Sequence, residues 1–378
     1  MKSRKTFALV MLLIVSILLS STPITANTER PIDVYRPSQK LTIQSQTVSA
    51  GAWEYAETYF DLFLQAAVLG NSLVIGNETS LGMPFAIPST CIVTYYFPII
   101  SDGIIVGTFR VFVDDGQSYE NNNVTYTGVL SAHLAEELNA LSSSRLSSNV
   151  LSLHYDNGNL MVEANGVVEL FSSNPSSELP KFNMPENNRA YLHTVTPYES
   201  VIYPSLQARE MIVPFSGQRL LSVVITEQQV SRPWCFAYTT AMVLRFMTPG
   251  PGNINALTLM RAAHPGVSDA TLLDFRFYRH HAINAYTSRG FRNAAVQRRT
   301  LAVHEVVNSI NRDVPLQMIG ERTDNKTQHT FVIRGYMMNG VIFSYWNPWE
   351  SFFETMSGTA TIINARGITY RWFETVTA

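Results

Sequence analysis

The spacing of apolar residues changes period several times along the chain, and each change predicts an element. Trp53, Tyr55, Ala56, Tyr59, Phe60, Phe63, Leu64 and Ala67 recur at helical intervals, which predicts an amphipathic helix over 52–68 whose aromatic stripe packs on a sheet. The pattern then shifts to β-branched and aromatic runs. Cys91 to Phe97 and Ile104 to Val113 flank Ser101-Asp102-Gly103, and Asp-Gly between two such runs is a hairpin signature. Residues 127–141 predict a second helix. Val150 to Tyr155 and Leu160 to Glu163 predict a second hairpin across Asp156-Asn157-Gly158, with a further strand from Gly166 to Phe171. Residues 172–190 are rich in Ser, Asn and Pro and weakly apolar, the composition of a linker and of sites that proteases nick.

Beyond the linker a helical period returns in Phe236, Ala237, Ala241, Met242, Leu244 and Phe246, and Pro249-Gly250-Pro251-Gly252 stops it. An amphipathic helix is expected around 300–312. Two strands, Thr330 to Tyr336 and Val341 to Trp346, follow around Met338-Asn339-Gly340. Both halves therefore read as α+β, and only the second carries recognisable chemistry.

The N-terminus adds a targeting signal. Lys2, Arg4 and Lys5 precede the apolar run Phe7 to Leu19 and the small-residue segment that ends at Ala26. That order describes a secretory signal peptide over 1–26. The apolar run is short of the roughly 20 residues that a bilayer span needs, so a secreted product without a membrane anchor is expected. Charge divides the remainder: residues 27–212 hold 8 Lys and Arg against 19 Asp and Glu, and residues 213–378 hold 16 against 10. In the basic half the arginines are scattered, with only Arg298-Arg299 adjacent, so nucleic acid is not the expected partner. An acidic segment docking on a basic one within a single precursor accounts for the asymmetry better.

Two cysteines are too few for a disulfide scaffold. Cys91 opens a strand and is expected to be an inert buried thiol. Cys235 is different, because it opens a helix, with Ser231 as the expected cap and Pro233 in the first turn. Unpaired amides and the helix dipole there favour a thiolate, which is the nucleophilic form. Gln229, six residues upstream, is the right type to donate an N–H to an oxyanion. A thiolate needs a base, and the candidates are His264, His280, His281, His304 and His329. His329 alone starts a strand after a polar loop, and the following strand ends in Asn347-Pro348-Trp349.

Register makes this pairing testable. A two-residue Asn339-Gly340 loop would set His329 opposite residue 350 and turn Asn347 to the other face. A three-residue loop, Met338 to Gly340, would set His329 opposite Trp349 and keep His329 and Asn347 on one face. The expectation is the three-residue loop, with Gly340 left-handed, or an equivalent bulge.

Gln229, Cys235 on a helix, His329 on a strand and Asn347-Pro348-Trp349 resemble the papain-like cysteine peptidases. The Trp-Cys-x-x-Tyr and Trp-Asn-Pro-Trp stretches are most similar to the staphopain branch of secreted bacterial enzymes. The resemblance covers roughly residues 200–378. It implies a papain-like catalytic domain over 201–378, with a helical half carrying the cysteine helix and an antiparallel β half carrying His and Asn. It also implies an inhibitory α+β pro-domain over 27–200, removed by proteolysis. By the same resemblance Cys235 is the nucleophile, His329 the base, Asn347 its orienting group, Gln229 part of the oxyanion hole and Trp349 a shield for the His–Asn pair. Protein or peptide substrates are expected, cut by a monomer with no cofactor and no metal. A thiolate–imidazolium pair should give bell-shaped activity against pH. Two other readings remain open: a cell-wall peptide hydrolase of the Cys-His type, and an inactive secreted binding protein.

Overall fold

The computed structural model describes residues 42–45, 47–88, 92–113, 125–143, 150–156, 159–172, 194–197, 206–207, 217–229, 232–248, 250 and 253–378. The expected signal peptide, Cys91, Ser231 and all but the first residue of the linker 172–190 lie outside them. Among the described residues no helix is long and apolar enough to cross a membrane.

The two halves share one sheet. In the first half, Val93–Ser101, Ile104–Val113 and Tyr126–Ser131 run as an antiparallel meander. Its outermost strand pairs with Phe353–Ser357 of the second half, Leu130 opposite Thr355 and Val129 opposite Met356. The sheet continues through Ile342–Trp346, Gln328–Met337, Leu316–Arg322 and Ile368–Thr377, all antiparallel, to 14 strands among the described residues. A separate sheet of five strands sets Thr42–Ser45 parallel to Val150–Asp156.

Two cores flank the shared sheet. The helix Ala50–Leu69 starts where Ser49 accepts a hydrogen bond from the Ala52 amide. Its buried face, with Phe60, Phe63 and Leu64, joins Phe97 and Phe109 of the first half and Met337 and Ile342 of the second in one cluster. The larger core packs the helices Cys235–Met247, Ala256–Ala263, Arg279–Thr287 and Val303–Asn311 against the second half of the sheet. Residues 235–244 are all buried, so the cysteine helix is covered on every side and its sequence is apolar nearly all round.

Polar groups also cross the junction. Arg110 and Glu354, each 1% exposed, form an ion pair, and Arg110 donates to the Asn364 carbonyl at 2.8 Å. Burial opposes the guanidinium charge, but Glu354 and the surrounding tyrosines outweigh it and raise the Arg110 pKa. Arg334 donates to the Gly70 carbonyl and stands 3.4 Å over the Phe353 ring.

Local expectations meet the structure with two corrections. The Asp102-Gly103 hairpin forms with both residues left-handed (φ 49° and 79°), as a two-residue turn requires. The helix expected over 127–141 is instead the strand Tyr126–Ser131 followed by the shorter helix Ala135–Ser143. Strand pairing on both sides claims residues 127–131, and a side chain at Gly128 would strike the Phe109 ring at 2.6 Å. The cysteine helix begins at Cys235 itself, with Trp234 as a cap residue whose side chain makes no capping bond. Pro233 therefore stands before the helix rather than in its first turn.

The loop between the His and Asn strands is one residue longer than expected. Met337 pairs with Ile342 across Met338–Val341, and Met338, Asn339 and Gly340 are all left-handed (φ 53°, 55° and 95°). A bulge at Arg334 then absorbs the extra residue, because the register passes from Gly335↔Ser344 to Ile333↔Tyr345 and Val332↔Trp346. Carried on to the strand end, this register sets Trp349 opposite His329. Gly335 is required beside the bulge, since a Cβ there would lie 2.5 Å from the Arg219 carbonyl.

Candidate active site

Cys235, His329, Trp349 and Gln229 line one cleft of ≈ 600 Å³. Its described lining comes wholly from residues 229–370, and His329 is the only histidine in it. The other candidates lie elsewhere. His264 bonds the Arg276 carbonyl, the His280 and His281 rings meet at 3.9 Å between centroids with a 58° tilt, and His304 lies exposed on its helix.

The His329 ring is fixed on two sides. Its Nε2 lies 2.9 Å from Asn347 Oδ1, and the Trp349 ring stacks on it at 4.1 Å between centroids. The Trp349 backbone amide donates to the same Oδ1 at 3.2 Å. A backbone N–H can only donate, so the atom it meets is the amide oxygen and not the nitrogen. Two donors therefore converge on Oδ1, and Nε2 carries the imidazole proton. Nδ1 is left as the unprotonated nitrogen, the one able to take a proton.

Buried polar contacts hold the cysteine helix against the histidine strand. The Thr239 hydroxyl donates to the Cys235 carbonyl at 2.9 Å and meets Thr330 Oγ1 at 3.0 Å, while Gln317 Nε2 donates to Thr239 at 2.6 Å. Gln229 is placed by its backbone amide, which donates to the Pro348 carbonyl at 2.8 Å, and its side-chain amide donates to the Arg232 carbonyl. That uses one of its two side-chain N–H groups. The neighbouring Gln228 ties its side chain to the Trp349 carbonyl, so this glutamine pair is stitched to the Asn347–Trp349 turn.

Behind that turn Glu350 is 5% exposed, and its carboxylate accepts from Arg366 Nε at 2.9 Å and lies 3.7 Å from His133 Nδ1 of the first half. Burial works against the carboxylate, yet His133 and Arg366 bring its pKa down to about 2.

The electrostatics differ from the thiolate–imidazolium pair that the sequence leads one to expect. Burial pushes the Cys235 thiol up; bonds from Thr330 and the Phe236 amide, and the charge of Arg276, only partly oppose it. Burial likewise lowers His329 to about 4, against the bond to Asn347. Burial opposes the charged form of both groups, and so favours thiol and neutral imidazole over the charged pair.

This carries a stability prediction. His329 titrates near 4 when folded and near 6.5 when unfolded, so in that window the unfolded chain binds the extra proton. Stability therefore rises with pH between 4 and 6.5 and is lost on acidification, by on the order of 3 kcal/mol. Glu350 adds a second loss as pH falls from 4.5 toward 2. Urea unfolding at pH 7, 5.5 and 4 is expected to show a smaller acid loss for His329→Gln than for the parent protein. Equal losses in the two proteins would assign the acid lability to other groups, such as His281, which is also lowered to about 4.

Several of these residues escape a reading of the sequence. Thr239 could have been found, since it lies one turn after Cys235 on the same helix face. Tyr370, 5.3 Å from the His329 ring, and the His133–Glu350–Arg366 group depend on contacts between distant segments. No curated protein matches the chain. A family model does: residues 217–378 match the model described as staphopain peptidase C47, and the segment that holds Cys235, His329 and Asn347 is thereby a cysteine endopeptidase domain of the staphopain kind.

Proposed function

We propose that this protein is the secreted zymogen of a papain-like cysteine endopeptidase. Cys235 is its nucleophile, His329 its base and Asn347 the orienting group. The observation that carries the reading is the His329 Nε2–Asn347 Oδ1 bond at 2.9 Å, with His329 and Cys235 lining one cleft.

In the reaction His329 Nδ1 takes the Cys235 proton as sulfur bonds to the scissile carbonyl carbon. The carbonyl oxygen becomes an oxyanion, held by the Cys235 backbone N–H and the remaining side-chain N–H of Gln229. The imidazolium then protonates the leaving amine, the C–N bond breaks and an acyl-thioester remains. Water, deprotonated by His329, attacks the thioester and releases the acid and the thiol. Trp349 covers the His–Asn bond and keeps water from competing for Oδ1.

Residues 27–200 are, on this reading, the pro-domain and an intramolecular inhibitor. Their opposite net charge and the shared sheet support that assignment. The raised thiol and lowered imidazole fit a latent resting form. Export through the segment 1–26 completes the proposal.

A thiol-directed epoxide peptide is expected to label Cys235 and to block hydrolysis of a casein substrate. Asn347→Ala should lower kcat on the order of 10²-fold with little change in KM, because only the orientation of the base is lost. Full casein hydrolysis after complete alkylation of Cys235 would overturn the assignment. Release of wall peptides without casein cleavage would move the protein to the wall hydrolases.

A further inference from the structure

The cleft carries more positive charge than the reaction requires. Arg232, Arg276, Arg279 and Lys326 line it, against the single carboxylate Asp274 among its described lining residues. Two of these cations already have carboxylate partners outside the lining. Arg279 pairs with the buried Glu374, and Lys326 stands 3.2 Å from Glu321. Arg232 and Arg276 have no ion-pair partner among the described residues. The Arg232 guanidinium instead lies 4.8 Å over the Trp234 ring, and Arg276 is exposed but close enough to Cys235 for its charge to act on the thiol.

The two arginines belong to one built surface. Arg232 precedes the nucleophile by three residues, and Arg276 lies on the segment that follows Leu272. Trp234 joins the two segments by donating its indole N–H to the Phe275 carbonyl at 3.0 Å. Guanidinium groups are planar donors suited to carboxylates, and a cleft wall makes them less screened than on an open surface.

We propose that this pair is a substrate subsite, and that the enzyme favours peptides with an aspartate or glutamate side chain next to or near the bond it cuts. The proposal rests on the peptidase reading above. The carboxylate is held alike before and during bond cleavage, so the preference should appear mainly in KM. Occupying Arg276 also withdraws a charge that favours the thiolate, which works against any gain in kcat.

The test uses the full-length protein, allowed to process itself with both halves kept in solution. Quenched peptides carry Glu, Gln or Lys in turn at each of the positions around one cut. At one or more positions the Glu peptide is expected to exceed the Gln peptide about tenfold in kcat/KM, as a partly exposed charge-assisted contact would give. Most of the difference should lie in KM and shrink as salt is raised. The double variant R232E/R276E should reverse the order to favour Lys, and Arg276→Lys should retain a Glu preference.

Rates within twofold for Glu, Gln and Lys at every position, in a protein whose Cys235 labels normally, would overturn the subsite and leave the peptidase intact. If no peptide is cut at all, the mechanism fails instead. The subsite is then decided by fluorescence anisotropy of Glu and Gln peptides on Cys235→Ala: tighter Glu binding that R232E/R276E removes supports it, and equal binding sinks it.

Discussion

Cys235→Ala and His329→Ala are each expected to lower kcat/KM on a peptide substrate by on the order of 10⁵-fold, and the double variant to lose almost nothing more. A loss of that size corresponds to about 7 kcal/mol of transition-state stabilisation. Non-additivity is the informative part. Burial holds the thiol above its ordinary range and the imidazole at about 4, so neither group is charged on its own at neutral pH. On the proposed mechanism, sulfur becomes a nucleophile only as Nδ1 removes its proton, and Nδ1 can do so because Asn347 holds the proton on Nε2. Once either partner is gone, the other has nothing left to do. Single and double variants assayed together, with unfolding midpoints as a control, decide the point. A His329→Ala enzyme within tenfold of the parent would mean that the base lies elsewhere. Losses that simply add would mean that the two residues act independently.

Glu354→Ala should destabilise the whole chain by about 3–5 kcal/mol, since it strands the Arg110 charge in the core. Both groups are 1% exposed, and Arg110 also holds the Asn364 carbonyl, so the charge has no route to water. Replacing both partners, with Arg110→Met and Glu354→Leu, is expected to recover most of that loss, because an apolar pair of similar volume escapes the desolvation cost. Urea unfolding of the parent, the single variant and the double variant measures this. A single-variant loss under about 1 kcal/mol would show that the pair is hydrated in solution. The shared sheet further implies that both halves unfold in one transition. Fragments cut in the linker should co-elute, since their separation would bare a strand edge at Phe353–Ser357 as well as Glu354. Freeing the second half then takes degradation of the first, and one cut does not suffice.

The parts of this protein that were legible beforehand are those set by local chemistry. Asp102-Gly103 needs left-handed backbone and forms the turn its residues allow. The helix Ala50–Leu69 follows its aromatic period. The Cys235 helix ends where Pro and Gly gather, and His329, singled out by its place at a strand start, lines the same cleft as Cys235. The failures have equally specific causes. Residues 127–131 have a helical period but are taken into the sheet by partners on both sides, one of them from more than two hundred residues away. The loop after Met337 gained a residue that the bulge at Arg334 removed, and a bulge leaves no mark in a period-two pattern. The thiol and imidazole shifts went against expectation because burial depends on what packs around the cleft.

The sequence alone indicated most of the order of elements, the candidate pair Cys235 and His329, and the face on which His329 and Asn347 had to meet, because these rest on side-chain period and on what each group can donate or accept. Tertiary structure alone decided that the two halves form one sheet, that Arg110 and Glu354 share a buried site, that burial raises the Cys235 thiol pKa and that two arginines of the cleft have no ion-pair partner among the described residues. Each of these is set by solvent exclusion and by contacts between residues far apart in the chain, and neither has a local signature.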